Sequence, residues 1–181
     1  MRAGATSSRV HPGLRGVVAA AGLTALTTRQ VGWDATAIII AVGAAAVLMP
    51  HDHPITARTD PLRWISVAFL GALSFAAVRG LIPTLVLPAT ATVVVTGSIA
   101  AVAEEAFFRK FLYGWLSRWG PAVAIVGSAL AFAAVHLPLY GVAAFPIDLG
   151  AGLLFGWQRW ATGSWTAPAA THVIANLLTL G

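Results

Sequence analysis

Ala100-Ala101-Val102-Ala103-Glu104-Glu105-Ala106-Phe107-Phe108-Arg109 sets two adjacent carboxylates and an arginine inside an otherwise uncharged stretch. From Leu81 to Ala103 there is no ionisable side chain, so the glutamates sit on a segment that reads as membrane-spanning. A charge near the bilayer centre costs roughly 2.5–3.5 kcal/mol on insertion scales, and such residues point to function by default. Only His136 and His172 follow among the histidines, and both lie in apolar runs, Phe132-Ala133-Ala134-Val135-His136 and Thr171-His172-Val173-Ile174-Ala175-Asn176. Two carboxylates, two imidazoles, an arginine and an amide at depth indicate proton chemistry inside the membrane.

Composition agrees with that reading. Hydrophobic residues make up 58% of the 181 and charged residues 9%, with a mean hydropathy of +0.82. A soluble domain carries about 25% charged residues, so the chain is expected to be an all-α, polytopic transmembrane helix bundle of about seven spans. The net charge of +5 is almost all arginine and contains no basic run. That suits anchoring at a lipid bilayer and argues against nucleic acid as a partner. With no cysteine there is no disulfide, thiolate nucleophile or cysteine-ligated zinc site.

Residues 1–11 read as a cytoplasmic tail and 12–87 as N-terminal transmembrane helices, with the chemistry-bearing helices in 88–181. The spans are expected at about Pro12–Thr28, Ala35–Met49, Leu62–Val78, Ala89–Trp119, Pro121–His136, Asp148–Trp160 and Trp165 onward. Leu137-Pro138 is expected to stop the fifth. No small-x-small cleavage site precedes Arg29, so the first helix is read as retained and not as a signal peptide. Placing the N-terminus in the cytoplasm puts Arg2, Arg9, Arg15, Arg58, Arg63, Lys110, Arg118 and Arg159 on cytoplasmic ends and only Arg29 and Arg79 outside.

Helical geometry divides the glutamates. Glu105 and Arg109 stand one turn apart on one face and can pair, so they read as a supporting pair. Glu104 is rotated about 100° away and looks to another helix. Counting back from Gly120, Glu104 and His136 lie at equal depth, roughly 22 Å from the turn at 1.5 Å per residue. A carboxylate beside an imidazole can deprotonate water. His172 and Asn176, again one turn apart, offer two donors suited to an oxyanion. Lys110 is expected to snorkel, His51-Asp52-His53 to be a solvated loop, and Asp148 a helix N-cap. A proton or solute relay through Glu104 and His136 is the competing function.

Glu104-Glu105-x-x-x-Arg109, Phe132-x-x-x-His136 and His172-x-x-x-Asn176, in this order, resemble the three motifs of the CPBP family, the CAAX-protease and bacteriocin-processing (Abi) intramembrane proteases. Phe108-Arg109, His136-Leu137 and Thr162-Gly163-Ser164-Trp165 fit the same pattern over about Pro88 to Gly181, with Lys110 where the family commonly has glycine. The resemblance implies a glutamate-type intramembrane endopeptidase like the type II CAAX prenyl endopeptidases, with 88–181 as its catalytic core. It assigns water activation to Glu104 and His136, oxyanion stabilisation to His172 and Asn176, and support to Glu105 and Arg109. The substrate would be a membrane-bound peptide or protein, lipidated or a bacteriocin or pheromone precursor, and the location a bacterial plasma membrane. A non-catalytic adaptor of the same family is a further alternative. No cofactor is expected. Glu104, His136 and His172 can be drawn as zinc ligands, but no His-Glu-x-x-His motif is present, and Asn176 is a better oxyanion donor than zinc ligand.

Overall fold

The computed structural model describes residues 12–28, 33–50, 60–81 and 86–181. They form helices α1 (Pro12–Thr28), α2 (Trp33–Leu48), α3 (Pro61–Leu81), α4 (Ala91–Glu105), α5 (Tyr113–Leu116), α6 (Pro121–Tyr140), α7 (Phe145–Thr162) and α8 (Thr166–Leu177). The fold is all-α, and the described residues hold no strand, only an isolated bridge between Leu87 and Leu180. The His51-Asp52-His53 triplet lies outside the described residues.

Among the described residues, three stretches are long and apolar enough to cross a membrane: Pro61–Leu81, Ala91–Trp119 and Pro121–Tyr140. Gly13–Thr28 and Ala35–Leu48 are apolar but shorter. Of the expected seven spans, α7 and α8 fall short for physical reasons: α7 carries Asp148, Gln158 and Arg159, and α8 has only 12 residues.

α4 continues without a break into a π-helical segment, Ala106–Leu112, then α5 and a 3-10 turn, Ser117–Trp119. Every residue of the π segment is buried. π-Bulges occur frequently at functional sites, and this one directly follows the glutamates. Gly120, at φ +104°, turns the chain into α6, with Pro121 pre-set for the first helical turn. Gly163, at φ +69°, caps α7 in the left-handed conformation.

Close packing rests on small residues, which let helix backbones approach. A Cβ on Gly43 would stand 2.9 Å from the Ala103 carbonyl oxygen, and one on Gly152 2.9 Å from Ala129 Cα. These contacts press α2 onto α4 and α7 onto α6. Three further details differ from expectation. α6 runs to Tyr140, because Pro138 removes only its own N–H and Gly141 N–H still reaches the Leu137 carbonyl at 2.9 Å. α7 begins at Phe145, so Asp148 lies inside its first turn and caps nothing. Lys110 does not snorkel: its ammonium donates to the carbonyls of Ala46 (3.0 Å), Val47 (2.6 Å) and Met49 (3.2 Å). It therefore satisfies the orphan carbonyls that end α2.

Candidate active site

Glu104 from α4 and His136 from α6 face each other, with His136 Nε2 3.8 Å from Glu104 Oε2. Equal depth on two antiparallel helices joined at Gly120 produces this meeting. His136 Nδ1 lies 2.8 Å from the Phe132 carbonyl oxygen. A carbonyl only accepts, so Nδ1 carries the proton, and in the neutral ring Nε2 presents a lone pair toward Glu104. Both residues are buried, Glu104 at 5% and His136 at 6% exposure. Stacking of the ring on Tyr140, at 5.7 Å between centroids, adds to its orientation.

Glu105 turns the other way and is fully buried. Its Oε1 accepts from Arg109 Nη1 at 3.0 Å and from His172 Nδ1 at 3.1 Å. The pairing with Arg109 matches the one-turn spacing. The bond to His172 does not follow from spacing, and it makes Glu105 a link between α4 and α8. Arg109 Nη2 donates to the Gly152 carbonyl at 3.1 Å, which fixes α7 as well. Its guanidinium lies 4.6 Å from the Phe132 ring centroid and 5.1 Å from that of Phe155. One arginine thus holds a carboxylate, a backbone carbonyl and two aromatic faces in a fully buried site.

With Nδ1–H given to Glu105, His172 keeps Nε2 for another partner, while its ring stacks on Phe155 at 4.9 Å. Asn176, one turn further along α8, donates one amide hydrogen to the Gly97 carbonyl at 3.1 Å. An amide has two N–H hydrogens, so this bond orients the group and leaves a donor. Next to His172, Thr171 Oγ1 accepts from Gln158 Nε2 at 2.8 Å and donates to the Ala68 carbonyl at 3.2 Å. That polar knot sets the rotation of α8 against α3 and α7.

Glu104, His136, His172 and Asn176 all line one cavity of about 1130 Å³. The four site residues read from the sequence are therefore brought together, with Glu105 and Arg109 just behind them. Asp148 also lines the cavity, is close enough for its charge to act on His136, Glu104 and His172, and has its Oδ2 buried without a protein partner. Sequence reasoning missed this carboxylate by taking it for a cap; a lone acid at the start of an apolar run was the available signal. Among the described residues, no three His, Cys, Asp or Glu side chains gather as a metal-ligating group.

The arrangement has the parts for hydrolysis: two proton acceptors facing across a gap, and on α8 an amide donor beside a His172 Nε2 that donates when the ring is doubly protonated. A family model described as type II CAAX prenyl endopeptidase Rce1-like matches residues 86–178, half of the chain. No curated protein and no solved structure matches it.

Proposed function

Because the chain belongs to the Rce1-like family of type II CAAX prenyl endopeptidases, and is thus a membrane-embedded protease acting on a peptide or protein, we propose that it is of the glutamate type. In this reading 12–87 are supporting transmembrane helices and 88–181 the catalytic core. Glu104, assisted by His136, takes a proton from water, and the resulting hydroxide attacks the scissile carbonyl carbon. The carbonyl oxygen becomes an oxyanion, to which His172 Nε2–H and Asn176 donate. His172 must then carry both ring protons, with its Nδ1–H held by Glu105 Oε1. Collapse of the tetrahedral intermediate breaks the C–N bond, and the proton held by Glu104 and His136 passes to the leaving amine. Arg109 and Glu105 hold these groups in register. No cofactor enters the reading.

The observation that carries it is the 3.8 Å approach of His136 Nε2 to Glu104 Oε2 in the cavity that His172 and Asn176 share. The location we propose is a bacterial plasma membrane, N-terminus in the cytoplasm, and the substrate a membrane-bound peptide or protein cut near its terminus, such as a lipidated chain or a bacteriocin or pheromone precursor. The test is a cleavage assay in membranes with Glu104→Gln beside the parent. Cleavage by the parent but not the variant is expected; equal cleavage by both would remove Glu104 from the mechanism, and none by either would favour a non-catalytic adaptor.

A further inference from the structure

Of the two carboxylates that line the cavity among the described residues, the hydrolytic steps use only Glu104. The other is Asp148, in the first turn of α7. Its place follows from how α7 packs on α6. Gly156 lies against Ile125 and, one turn away on both helices, Gly152 lies against Ala129. One more turn in the same sense sets Asp148 level with Ala133, less than a turn from His136. Glu104 reaches the same cavity from α4, which packs on α2 and α8, whereas α7 packs on α6, α8 and α3. The two acids therefore stand on different walls.

Asp148 also lacks compensation. Its Oδ2 is buried without a protein partner. The charges that act on it are those of His136, Glu104 and His172, not of a lysine or arginine. The His136 ring is neutral until water is activated, and His172 is engaged by Glu105 at 3.1 Å. A buried carboxylate with neither hydrogen bonds nor a cation neutralises itself by taking up a proton. An ionised Glu104 in the same cavity works in that direction too, because two carboxylates that share a site do not readily both ionise.

We infer that Asp148 is the acid of the reaction, the group whose carboxyl hands a proton to the leaving nitrogen. The inference rests on the proteolytic reading and supplies the route by which the proton taken up at Glu104 and His136 reaches the amine. Asp148 enters the cycle as a carboxylic acid and Glu104 as a carboxylate. Water gives its proton to Glu104, helped by His136, and its oxygen to the carbonyl carbon. As the C–N bond breaks, its electron pair stays on nitrogen and takes the Asp148 proton, while the oxyanion re-forms the carbonyl. A proton passing from Glu104 to Asp148 then restores both groups. One water is consumed for one acid and one amine.

The test compares two scissile bonds. A membrane-anchored peptide that the parent cuts is made in two forms, one with the ordinary amide and one with a thioester in its place. A thiol ionises at about pH 8.5, so a thiolate leaves without an acid, whereas an amine has to be protonated to leave. Asp148→Asn should lower the amide-to-thioester rate ratio by roughly 10²–10⁴-fold, the scale of general acid catalysis. Loss of folded protein lowers both rates alike, so an unchanged ratio would overturn the inference and leave proteolysis by Glu104 standing. Amide cleavage that Glu104→Gln leaves intact would instead sink the proteolytic reading, and the acid role with it. A second measurement needs no substrate. Infrared spectra of the parent with isotope-labelled aspartate should show a protonated-carboxyl C=O band that the label shifts and Asp148→Asn lacks. Aspartates present only as carboxylates would overturn the inference, even where the variant does not fold.

Discussion

His136 Nε2 stands 3.8 Å from Glu104 Oε2 while Nδ1–H of the same ring is held by the Phe132 carbonyl. Two proton acceptors face each other across a gap that a water molecule would bridge. Glu104→Gln keeps the shape but removes the stronger acceptor. Cleavage should fall by roughly 10²–10⁴-fold, the usual contribution of general base catalysis, with unchanged membrane accumulation. Retention of more than about a tenth of parental activity in a quantitative assay would exclude Glu104 as the base.

Arg109 should act on the fold as well as the site. Arg109→Ala leaves the fully buried Glu105 with His172 as its remaining hydrogen-bond partner and strips the Gly152 carbonyl of its side-chain donor. Breaking a buried ion pair costs about 3–5 kcal/mol, so accumulation and Tm should fall together with activity. Full thermal stability with lost cleavage would instead put Arg109 in contact with substrate.

Asn176→Ala should lower turnover by roughly 10²–10³-fold, as the loss of one oxyanion donor does, with little change in KM. Chelators should leave activity intact. Stoichiometric zinc in the purified protein, with activity lost on chelation and restored by zinc, would recast Glu104, His136 and His172 as ligands.

Two glycines make a matched pair. Gly152→Ala pushes a methyl group against the Ala129 backbone, whereas a Cβ on Gly97 meets nothing within 4 Å. The first should destabilise by about 1–3 kcal/mol through overpacking, and the second should gain about 0.4–1 kcal/mol by stiffening the unfolded chain. Thermal unfolding in detergent would read both; a Gly152→Ala protein as stable as the parent would contradict the close approach of α6 and α7.

Lys110→Met should lower stability by about 1.5–3 kcal/mol, the scale of a hydrogen bond to a charged group, because three carbonyls at the end of α2 lose their donor. Unchanged unfolding would show that α2 ends well without it.

What could be read from the sequence was whatever depends on position along a single helix or on depth across one turn. The Glu105–Arg109 pair follows from helical spacing, and the meeting of Glu104 with His136 from counting back to Gly120. The bond from His172 to Glu105 was not legible, because it depends on how α8 packs beside α4, and small residues such as Gly43 and Gly152 govern that packing without a signature of their own. Asp148 was misread because a short acid near a helix start has two uses, and only the true start at Phe145 separates them. Lys110 was misread because snorkelling assumes a helix facing lipid, whereas here its π segment is enclosed by α2 and α6.

The π segment after the glutamates makes chain length here as constraining as residue identity. A wide turn holds more residues than an α-helical turn of 3.6. Removing one residue between Ala106 and Leu112 would let the stretch relax to ordinary pitch with the helix beyond it near register, whereas adding one would turn everything beyond it by about 100°. Lys110 would leave the end of α2, Trp115 would leave the α1 surface near Gly16, and the Gly120 turn would deliver α6 with His136 on the wrong azimuth. A single deletion in this stretch should therefore be better tolerated than a single insertion, and a paired series of the two scored for folded protein would reveal that difference.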